Sequence, residues 1–378
     1  MPKKILIIAG EASSDYHGSS LVKSIRALKS DVSFYGLGGK DMQNAGVEII
    51  HNIAGMAVIG PVDAIKHYNE LKKAYDDTCL RIEKDVPDCA VLIDYPGFNL
   101  KIAKFLKKHK VPVVYYISPQ VWAWGRGRIK KIRDLVDKML VLFKFEETLY
   151  KENNVDVSFV GHPLLDSVKS EKTKDDFLKQ LGLSLEKLTI GILPGSRKNE
   201  VLRILPIMIE SAKIIQKNIG SGNVQFLLPI ANTIEPQSIN NILKNMRFDA
   251  CVIKNDPYNA VSACKAVMVA SGTATLETAL LGVPMAIVYK VSSLLYLFVR
   301  PMIKIPYIGL VNVVAGKKIV EEFIQYEARP NLIAEYMVKL LKDKDCYDNI
   351  KRQLAAVKSS LGSPGASFRA AEEVVKFL

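Results

Sequence analysis

The stretch Leu188-Thr-Ile-Gly-Ile-Leu-Pro-Gly-Ser-Arg-Lys-Asn-Glu200 indicates the fold class of this 378-residue chain. Its first six residues are the short apolar run expected of a buried strand, and a loop of small residues then leads into an amphipathic segment. The same order recurs along most of the chain. Uniformly apolar strands that alternate with helices indicate parallel sheets covered on both faces.

The alternation predicts two domains. Predicted strands include Ile5–Ala9, Cys89–Ile93, Val111–Ile117, Met139–Leu142, Leu188–Leu193, Gln225–Pro229, Ala266–Ala270 and Met285–Tyr289. Predicted helices include Ser19–Leu28, Phe98–His109, Asn199–Lys217 and Thr273–Leu281. The pattern restarts after a polar stretch over residues 167–185, so the fold class is α/β, with two doubly wound, Rossmann-like parallel-sheet domains facing a cleft.

We place these domains at residues 1–170 and 186–360. A terminal helix follows at residues 361–378, and we expect it to pack back on the first domain of its own or a partner chain. Ligands of such sheets bind at the carboxyl ends of the strands.

Composition narrows the class of protein. Apolar residues make up 49% of the chain and charged residues 24%, which excludes a disordered protein. The five cysteines are scattered and lack C-x-x-C spacing, which argues against a disulfide framework or a zinc site. No run of 18 uncharged apolar residues occurs, so a cytoplasmic location is expected. The net charge of +13 suits nucleic acid, anionic lipid or phosphorylated substrates.

Two strand-to-helix loops in the first half carry candidate site residues. Gly10-Glu-Ala-Ser-Ser-Asp15 follows the first predicted strand, and its small residues would let backbone N–H groups approach an anion. Helix capping by Ser13, Ser14 or Asp15 is the structural alternative. Asp94 ends another strand and could take a proton from a hydroxyl group, whereas a turn or capping role fits its position equally well.

Two similar loops lie in the second half. Arg197 could stabilise charge on a leaving diphosphate, with backbone N–H groups assisting, and a salt bridge to Glu200 is the alternative. Ser271-Gly-Thr-Ala-Thr-Leu-Glu277 joins a buried strand to a helix, whose N-terminus favours phosphate. Glu277 lies one turn into that helix, where a carboxylate can accept both ribose hydroxyls of a nucleotide. A glutamate on the helix surface is the alternative.

Together, motifs along the whole chain resemble those of the lipid-A-disaccharide synthase family. They are Gly10-Glu-Ala-Ser-Ser-Asp15, Ile93-Asp-Tyr-Pro-Gly-Phe-Asn99, Ser118-Pro-Gln-Val-Trp-Ala-Trp124, Val160-Gly-His-Pro163, Leu193-Pro-Gly-Ser-Arg197 and Ser271-Gly-Thr-Ala-Thr-Leu-Glu277. Leu310-Val-Asn312 and Gly365-Ala-Ser-Phe-Arg-Ala370 extend the resemblance. Each motif alone is moderately specific, and the combination in this order is strongly so.

The resemblance implies an inverting, metal-independent transferase of the glycosyltransferase B fold, with no cofactor and with a UDP-sugar as donor substrate. It would transfer 2,3-diacylglucosamine from UDP-2,3-diacylglucosamine to the 6-hydroxyl of 2,3-diacylglucosamine 1-phosphate. The products would be the β-1,6-linked disaccharide 1-phosphate and UDP. Another UDP-sugar enzyme of this fold, such as a UDP-N-acetylglucosamine epimerase, is the nearest alternative, and a basic nucleic-acid-binding protein is a distant one.

The resemblance also implies roles for particular residues. Asp94 would be the catalytic base, and Arg197 would assist catalysis. The implied donor-site residues are Gly195, Ser196, Arg197, Ser271, Gly272, Thr273, Glu277 and Asn312, and the implied acceptor-side residues are Gly10, Glu11, Ser13, Ser14 and Asp15. No metal site is expected, because the D-x-D sequence Asp343-Lys-Asp345 lies on a lysine-rich helical surface rather than at a strand end.

Two positions depart from the family pattern. The family commonly has glycine where Ser14 stands, and a positive φ there would strain a serine. Some members carry an acidic residue where Gly97 stands, so a role for that carboxylate cannot apply to this chain.

Acylated substrates imply contact with the cytoplasmic face of the inner membrane, as a peripheral protein. Residues 56–75 form a basic amphipathic pattern compatible with a membrane surface, and residues 292–314 are rich in large apolar side chains. Core packing is the alternative for both segments. An aromatic and basic cluster comprises Trp122, Trp124, Arg126, Arg128, Lys130, Lys131 and Arg133, and it suits phosphate or headgroup contacts. No nucleic-acid partner is expected, and a homodimer is compatible with the sequence.

Overall fold

The computed structural model describes residues 2–54, 67–123, 125, 127–293, 296–297 and 305–378. The chain forms two compact units, of which the first combines Met1–Asp166 with Leu361–Leu378 and the second is Ser167–Ser360. Each unit contains one parallel sheet with helices packed on it. The predicted fold class of two parallel α/β units is therefore confirmed.

The sheet of the first unit has seven described strands in the order β3-β2-β1-β4-β5-β6-β7. They are β1 (Lys3–Ala9), β2 (Val32–Gly38), β3 (Glu48–Asn52), β4 (Cys89–Ile93), β5 (Val113–Tyr116), β6 (Lys138–Val141) and β7 (Val157–Phe159). β1 and β4 pair in parallel, with Ala9 opposite Ile93 at their carboxyl ends. Because the two strands run in parallel and end together, the loops that follow them emerge side by side at one edge of the sheet.

Helices cover this sheet. The described ones up to the unit boundary are α1 (Ala12–Leu28), α2 (Lys40–Asn44), α3 (Tyr68–Lys84), α4 (Pro96–Lys108), α5 (Arg128–Leu135), α6 (Lys144–Glu152) and α7 (Leu164–Ser167). α3 and α4 contact one another, and the buried side chains of α4 include Phe98 and Ile102.

The second unit repeats the plan with six described strands in the order β10-β9-β8-β11-β12-β13. They are β8 (Leu188–Leu193), β9 (Val224–Ile230), β10 (Cys251–Lys254), β11 (Ala266–Ala270), β12 (Met285–Tyr289) and β13 (Glu322–Ile324). Its described helices include α8 (Lys174–Gln180), α9 (Lys198–Ile219), α10 (Pro236–Met246), α11 (Pro257–Ser262), α12 (Thr273–Leu280), α13 (Leu310–Ala315), α14 (Pro330–Lys342) and α15 (Lys344–Ser360). β8 and β11 are neighbours, with Leu193 opposite Val269, so the loops after them also start close together.

The final helix, α16 (Ala366–Val375), returns to the first unit and packs on α1. The Arg369 Nε donates to the Val160 carbonyl oxygen at 2.8 Å, and the Gly365 N–H donates to the Asp166 carboxylate at 2.8 Å. Ala370 and Val374 are buried in the contact. The end of the chain thus completes the first unit of the same chain.

The apolar-run criterion found most of the inner strands of the described sheets and missed β2 and the edge strands. Cys89–Ile93, Leu188–Leu193, Ala266–Ala270 and Met285–Tyr289 have the predicted bounds. The described strands not predicted are the edge strands β3, β7, β10 and β13 and the inner strand β2, whose apolar run is interrupted by Ser33 and Gly36. Edge strands are short and only partly covered, so they carry polar residues and lack a continuous apolar run.

Within the described ranges, no helix is both long enough and apolar enough to cross a bilayer. The predicted membrane segments fall partly outside these ranges, since residues 55–66, 294–295 and 298–304 are not described. Trp124 and Arg126 also lie outside them.

Candidate functional site

Asp94 is held in an unusual backbone conformation directly after β4. Asp94 and Tyr95 have φ values of +46° and +47°, a region that non-glycine residues rarely adopt. The Asp94 carbonyl oxygen accepts hydrogen bonds from the Tyr115 hydroxyl and, at 2.7 Å, from the Asn99 side-chain amide. Strain of this kind persists only where neighbouring groups fix it, and it is concentrated at functional sites.

The Asp94 side chain has the electrostatics of a general base. Burial, reinforced by the negative charge of Glu11, raises the pKa of the Asp94 carboxyl from 3.8 to about 6, against an opposing hydrogen bond from the Tyr95 backbone. A carboxylate that is only weakly stabilised in its charged form accepts a proton more readily. Asp94 therefore remains ionised at neutral pH while having an affinity for protons suited to base catalysis.

Gly10, in the loop after β1, packs against Tyr95, the residue that follows Asp94. A Cβ atom at Gly10 would lie 2.3 Å from ring atoms of Tyr95, so only glycine lets the two loops pack as they do. Glu11 is half-buried and Ser13 is exposed at the start of α1. Glu11 and Ser13 are therefore accessible on the predicted acceptor side, whereas Gly10 is buried against Tyr95.

Asp15 has protein partners instead. Its buried carboxylate accepts backbone N–H groups from Gly39 at 2.7 Å, Asp41 at 2.9 Å and Met42 at 3.2 Å, at the start of α2. Ser14 is buried inside α1 and has no positive φ, so the replacement of the family glycine by serine causes no backbone strain. The alternative in which Ser13, Ser14 or Asp15 caps α1 is wrong. The N-cap residue of α1 is Glu11, and no side chain accepts a capping hydrogen bond from the first turn of this helix.

Two histidines have perturbed pKa values, His17, which is half-buried in α1, and His162, which is buried. Burial lowers the pKa of His17 to about 4, and burial with the charge of His17 lowers the pKa of His162 to about 3. Both imidazoles are therefore neutral at neutral pH. The His162 Nδ1 accepts the Leu164 N–H at 3.1 Å, so this histidine stabilises the turn in which it lies. Within the described residues, no group of three or more His, Cys, Asp or Glu side chains could hold a metal ion.

In the aromatic motif after β5, Trp122 is held by a hydrogen bond and is only partly exposed to solvent. Trp122 is half-buried, and its indole N–H donates to the Glu146 carboxylate at 3.1 Å. Burial raises the pKa of the Glu146 carboxyl to about 8. The hydroxyls of Ser118 and Tyr150 bond at 2.8 Å beneath the same loop. Trp122 thus has its polar atom satisfied within the first unit.

In the second unit, the loop after β8 leaves Arg197 accessible. Gly195 has a φ of +111°, and a Cβ there would lie 2.2 Å from the Glu200 carboxylate. That carboxylate accepts the Ser196 N–H at 3.3 Å. The Arg197 side chain is exposed at the N-cap of α9, and no salt bridge within 4.0 Å joins it to Glu200. The alternative in which Glu200 pairs with Arg197 is therefore wrong.

The loop after β11 presents a helix N-terminus with small residues. Gly272, with a φ of +149°, precedes α12, and Gly272 and Thr273 are exposed. Glu277 is half-buried, and its carboxylate accepts a hydrogen bond from the Tyr258 hydroxyl at 3.1 Å. Burial raises the pKa of that carboxyl. Glu277 is thus held in place, unlike a glutamate on a helix surface.

The side-chain amide of Asn312 forms four hydrogen bonds with protein groups, two as donor and two as acceptor. Its Nδ2 donates to the Val320 carbonyl oxygen at 2.9 Å and to the Glu322 carboxylate at 2.8 Å. Its Oδ1 accepts the N–H groups of Ile319 at 2.8 Å and Val320 at 3.1 Å. The side chain is fully buried, so it contacts protein groups on every side.

The Asn312 network reaches the predicted donor loop through Glu322. The two oxygens of Glu322 accept the N–H groups of Ile308 at 2.9 Å and Gly309 at 3.0 Å. The Ile308 carbonyl oxygen in turn accepts the Ser271 hydroxyl at 2.9 Å. Glu322 and Tyr258 were not found from the sequence, because neither lies in a recognisable motif and both act through contacts distant in the chain.

Comparison with known proteins finds the same family that the sequence motifs resemble. Residues 5–372 match the family model for lipid-A-disaccharide synthetase. A lipid-A-disaccharide synthase of Syntrophus aciditrophicus is 45% identical over 370 residues, which are 98% of this chain and 96% of the relative.

Solved structures share the fold at low sequence identity. A glycosyltransferase of kitacinnamycin aligns with a TM-score of 0.67 at 12% identity, covering 100% of each chain. The UDP-N-acetylglucosamine 2-epimerase of Neisseria meningitidis, bound to UDP-N-acetylglucosamine, aligns with a TM-score of 0.62 at 13% identity, covering 99% of this chain and 100% of that one. At these identities the likeness shows the glycosyltransferase B fold alone.

Proposed function

The chain belongs to the lipid-A-disaccharide synthetase family and is a glycosyltransferase of lipid A biosynthesis, and on that premise we propose which substrates and residues it uses. The donor is UDP-2,3-diacylglucosamine and the acceptor is 2,3-diacylglucosamine 1-phosphate. The 6-hydroxyl oxygen of the acceptor attacks the anomeric carbon with inversion. The products are the β-1,6-linked disaccharide 1-phosphate and UDP.

Asp94 is the general base in this proposal, and its raised carboxyl pKa is the observation that carries it. As the C–O bond forms, the proton of the 6-hydroxyl moves to the Asp94 carboxylate, and the bond from the anomeric carbon to UDP breaks. The pKa of about 6 favours proton uptake without protonating the base at neutral pH. Glu11 and Ser13 line the acceptor side, and the buried Gly10 lets their loop pack on Tyr95. Ser14 and Asp15 are buried, and the Asp15 carboxylate is bonded to the backbone at the start of α2.

The second unit binds the donor. Arg197 and the backbone N–H groups of Gly195 and Ser196 contact the diphosphate, where the guanidinium balances the charge that develops on leaving UDP. This assigns to a side chain the charge stabilisation that a metal ion provides in other transferases. Arg197 is suited to this role because it is exposed and forms no salt bridge with the nearby Glu200.

The nucleotide lies at the loop after β11. Ser271, Gly272 and Thr273 surround the N-terminus of α12, which favours an anionic group, and the Glu277 carboxylate accepts the ribose hydroxyls. The hydrogen bond from Tyr258 fixes Glu277 for this contact. Asn312 acts as a positioning residue through Glu322, since its amide is saturated by protein groups.

The acyl chains place the reaction at a bilayer. We propose that the enzyme works as a peripheral protein at the cytoplasmic face of the inner membrane, because both substrates remain anchored there. The net charge of +13 would favour approach to anionic lipid. Flotation with phosphatidylglycerol vesicles that is lost on adding salt would support this, and retention by duplex DNA instead would favour nucleic-acid binding. A homodimer is tested by sedimentation of the detergent-free protein.

The activity is tested by incubating the purified chain with both substrates and identifying the product by mass spectrometry. We expect the disaccharide 1-phosphate and stoichiometric UDP. Asp94→Asn should abolish product formation while UDP binding persists. Asp31→Asn, at an exposed site in the same unit, should form product as the wild-type enzyme does. Epimerised UDP-sugar with no acceptor consumed would instead identify an epimerase of this fold.

A further inference from the structure

An open pocket of about 650 Å³ lies between α3 and α4 in the first unit. Its lining includes Tyr95, which follows the proposed base Asp94 directly in the chain. The roles proposed above for the acceptor loop leave this pocket unused. Its chemistry is divided between an aromatic wall and a basic rim.

The aromatic wall is built from both helices and the Asp94 loop. The rings of Tyr75 and Phe98 meet edge to face with centroids 6.1 Å apart, and those of Tyr95 and Phe98 stack at 6.0 Å. Leu71 completes this apolar surface. Such a wall stabilises a bound hydrocarbon chain, since each buried CH₂ group contributes about 0.8 kcal/mol.

The basic rim consists of Lys72 on α3 with Lys101 and Lys104 on α4. Lys101 and Lys104 are three residues apart and so share one face of the helix. All three side chains are exposed, and no carboxylate of the described residues lies within 4.0 Å of their ammonium groups. Asp76 also lines the pocket, so the lining that we name carries three positive charges against one negative charge.

We propose that this pocket is the subsite for the phosphorylated acyl sugar. The phosphate is held by Lys72, Lys101 and Lys104, and an acyl chain lies along the wall of Tyr75, Phe98 and Tyr95. This rests on the proposed function, which supplies an acceptor that carries both a phosphate and acyl chains. A sugar bound here contacts Tyr95, the residue that follows Asp94 in the chain.

The test pairs lysine variants with two acceptors in neutral detergent micelles, which removes the charge of a membrane surface. Lys101→Ala/Lys104→Ala should raise the KM for the 1-phosphate acceptor about ten- to a hundredfold, because it loses charge-assisted contacts to phosphate. The KM for donor should stay within about twofold. An acceptor analogue without the 1-phosphate should show the same KM with the variant as with the wild-type enzyme.

Lys84→Ala/Lys108→Ala is the matched control. It removes two exposed lysines from the same two helices, outside the pocket lining, and should behave as wild type with both acceptors. An unchanged KM in Lys101→Ala/Lys104→Ala, or an equal rise for both acceptors, would overturn the phosphate assignment. Normal kinetics in micelles combined with lost binding to phosphatidylglycerol vesicles would assign these lysines to the membrane instead. A wild-type enzyme that makes no disaccharide would contradict the proposed function itself, and the subsite with it.

Discussion

The ring of Tyr95 packs on Gly10 so closely that a Cβ at Gly10 would lie 2.3 Å from its Cδ1 and Cγ atoms. The loops after β1 and β4 are thereby fitted together, with Glu11 on one and Asp94 on the other. This contact explains how two motifs far apart in the chain form one site within the first unit.

Gly10→Ala should therefore damage catalysis without contacting substrate. The added methyl group must displace Tyr95 and, with it, the backbone of Asp94, so we expect kcat to fall about tenfold or more and the unfolding free energy to fall by about 1–3 kcal/mol. Steady-state kinetics and urea denaturation measure the two effects. Gly127→Ala is the control, because a Cβ at Gly127 meets no atom within 4 Å and its φ is −61°. Equal behaviour of the two variants would contradict the packing argument.

The pH dependence of turnover should report Asp94. Since the pKa of its carboxyl is about 6, kcat/KM should fall as pH drops below about 6, approaching tenfold per pH unit, as the base becomes protonated. Asp94→Asn should lower kcat by about 10²- to 10⁴-fold and remove this limb of the profile. A residual activity in Asp94→Asn with the same acid limb would assign the proton transfer to another group.

Asp94 should also cost stability. Its folded-state pKa of about 6 lies above the ordinary value of 3.8, so the folded protein holds the proton more tightly than the unfolded chain. The unfolding free energy should therefore decrease as pH rises from about 4 to about 6, and the loss persists above that range. Asp94→Asn should be more stable than wild type by about 1–3 kcal/mol at pH 7.5 and equally stable near pH 4. Denaturation at both pH values, with Asp31→Asn as control, measures this difference.

Glu277→Ala should weaken UDP binding about ten- to a hundredfold, because a carboxylate that accepts hydroxyl groups contributes about 1.5–3 kcal/mol. Tyr258→Phe should weaken it by less, about two- to tenfold, because it removes the group that positions Glu277 and leaves the carboxylate. Calorimetric titration with UDP measures both. Glu186→Ala, at an exposed site of the same unit, should bind UDP normally. Unchanged affinity in Glu277→Ala would remove the residue from the nucleotide site.

Asn312→Asp should destabilise the second unit by about 2–4 kcal/mol at pH 7.5. The substitution keeps the shape but replaces a donor that lies 2.8 Å from the Glu322 carboxylate with a second negative oxygen. Asn312→Asp/Glu322→Gln should recover part of the loss, because the glutamine amide can donate to the new carboxylate. Hydrogen exchange in the second unit and the midpoint of urea denaturation measure the change in stability. If the losses of stability from the two substitutions simply add in the double variant, Asn312 and Glu322 are not energetically coupled.

Features that depend on residues adjacent in the chain, such as central strands and strand-to-helix loops, could be predicted from the sequence. The apolar runs of β4, β8, β11 and β12 specify central parallel strands with the bounds observed. The edge strands were not predictable in this way, because partial exposure breaks the apolar run. The motifs around Asp94, Arg197 and Glu277 marked the loops, since a strand followed by small residues and a helix is visible in sequence alone.

The contacts within the site were not predictable from spacing. Asp15 was expected at the acceptor side, yet its carboxylate is used by the backbone of α2, which begins 25 residues later at Lys40. Asn312 was implied as a donor residue, yet its amide is saturated by the segment that leads into β13. In both cases the partner is a backbone group whose position depends on the folded chain.

The sequence by itself determined the α/β class, the family and the loops that carry chemistry, because these depend on hydrophobic periodicity and on residues adjacent in the chain. Only the tertiary structure decided the electrostatic state of the loop residues. Asp94 acquires a pKa of about 6 because the fold buries its carboxyl and brings the charge of Glu11 near it. Desolvation and charge proximity are properties of distances in space, and those distances exist only once the chain has folded.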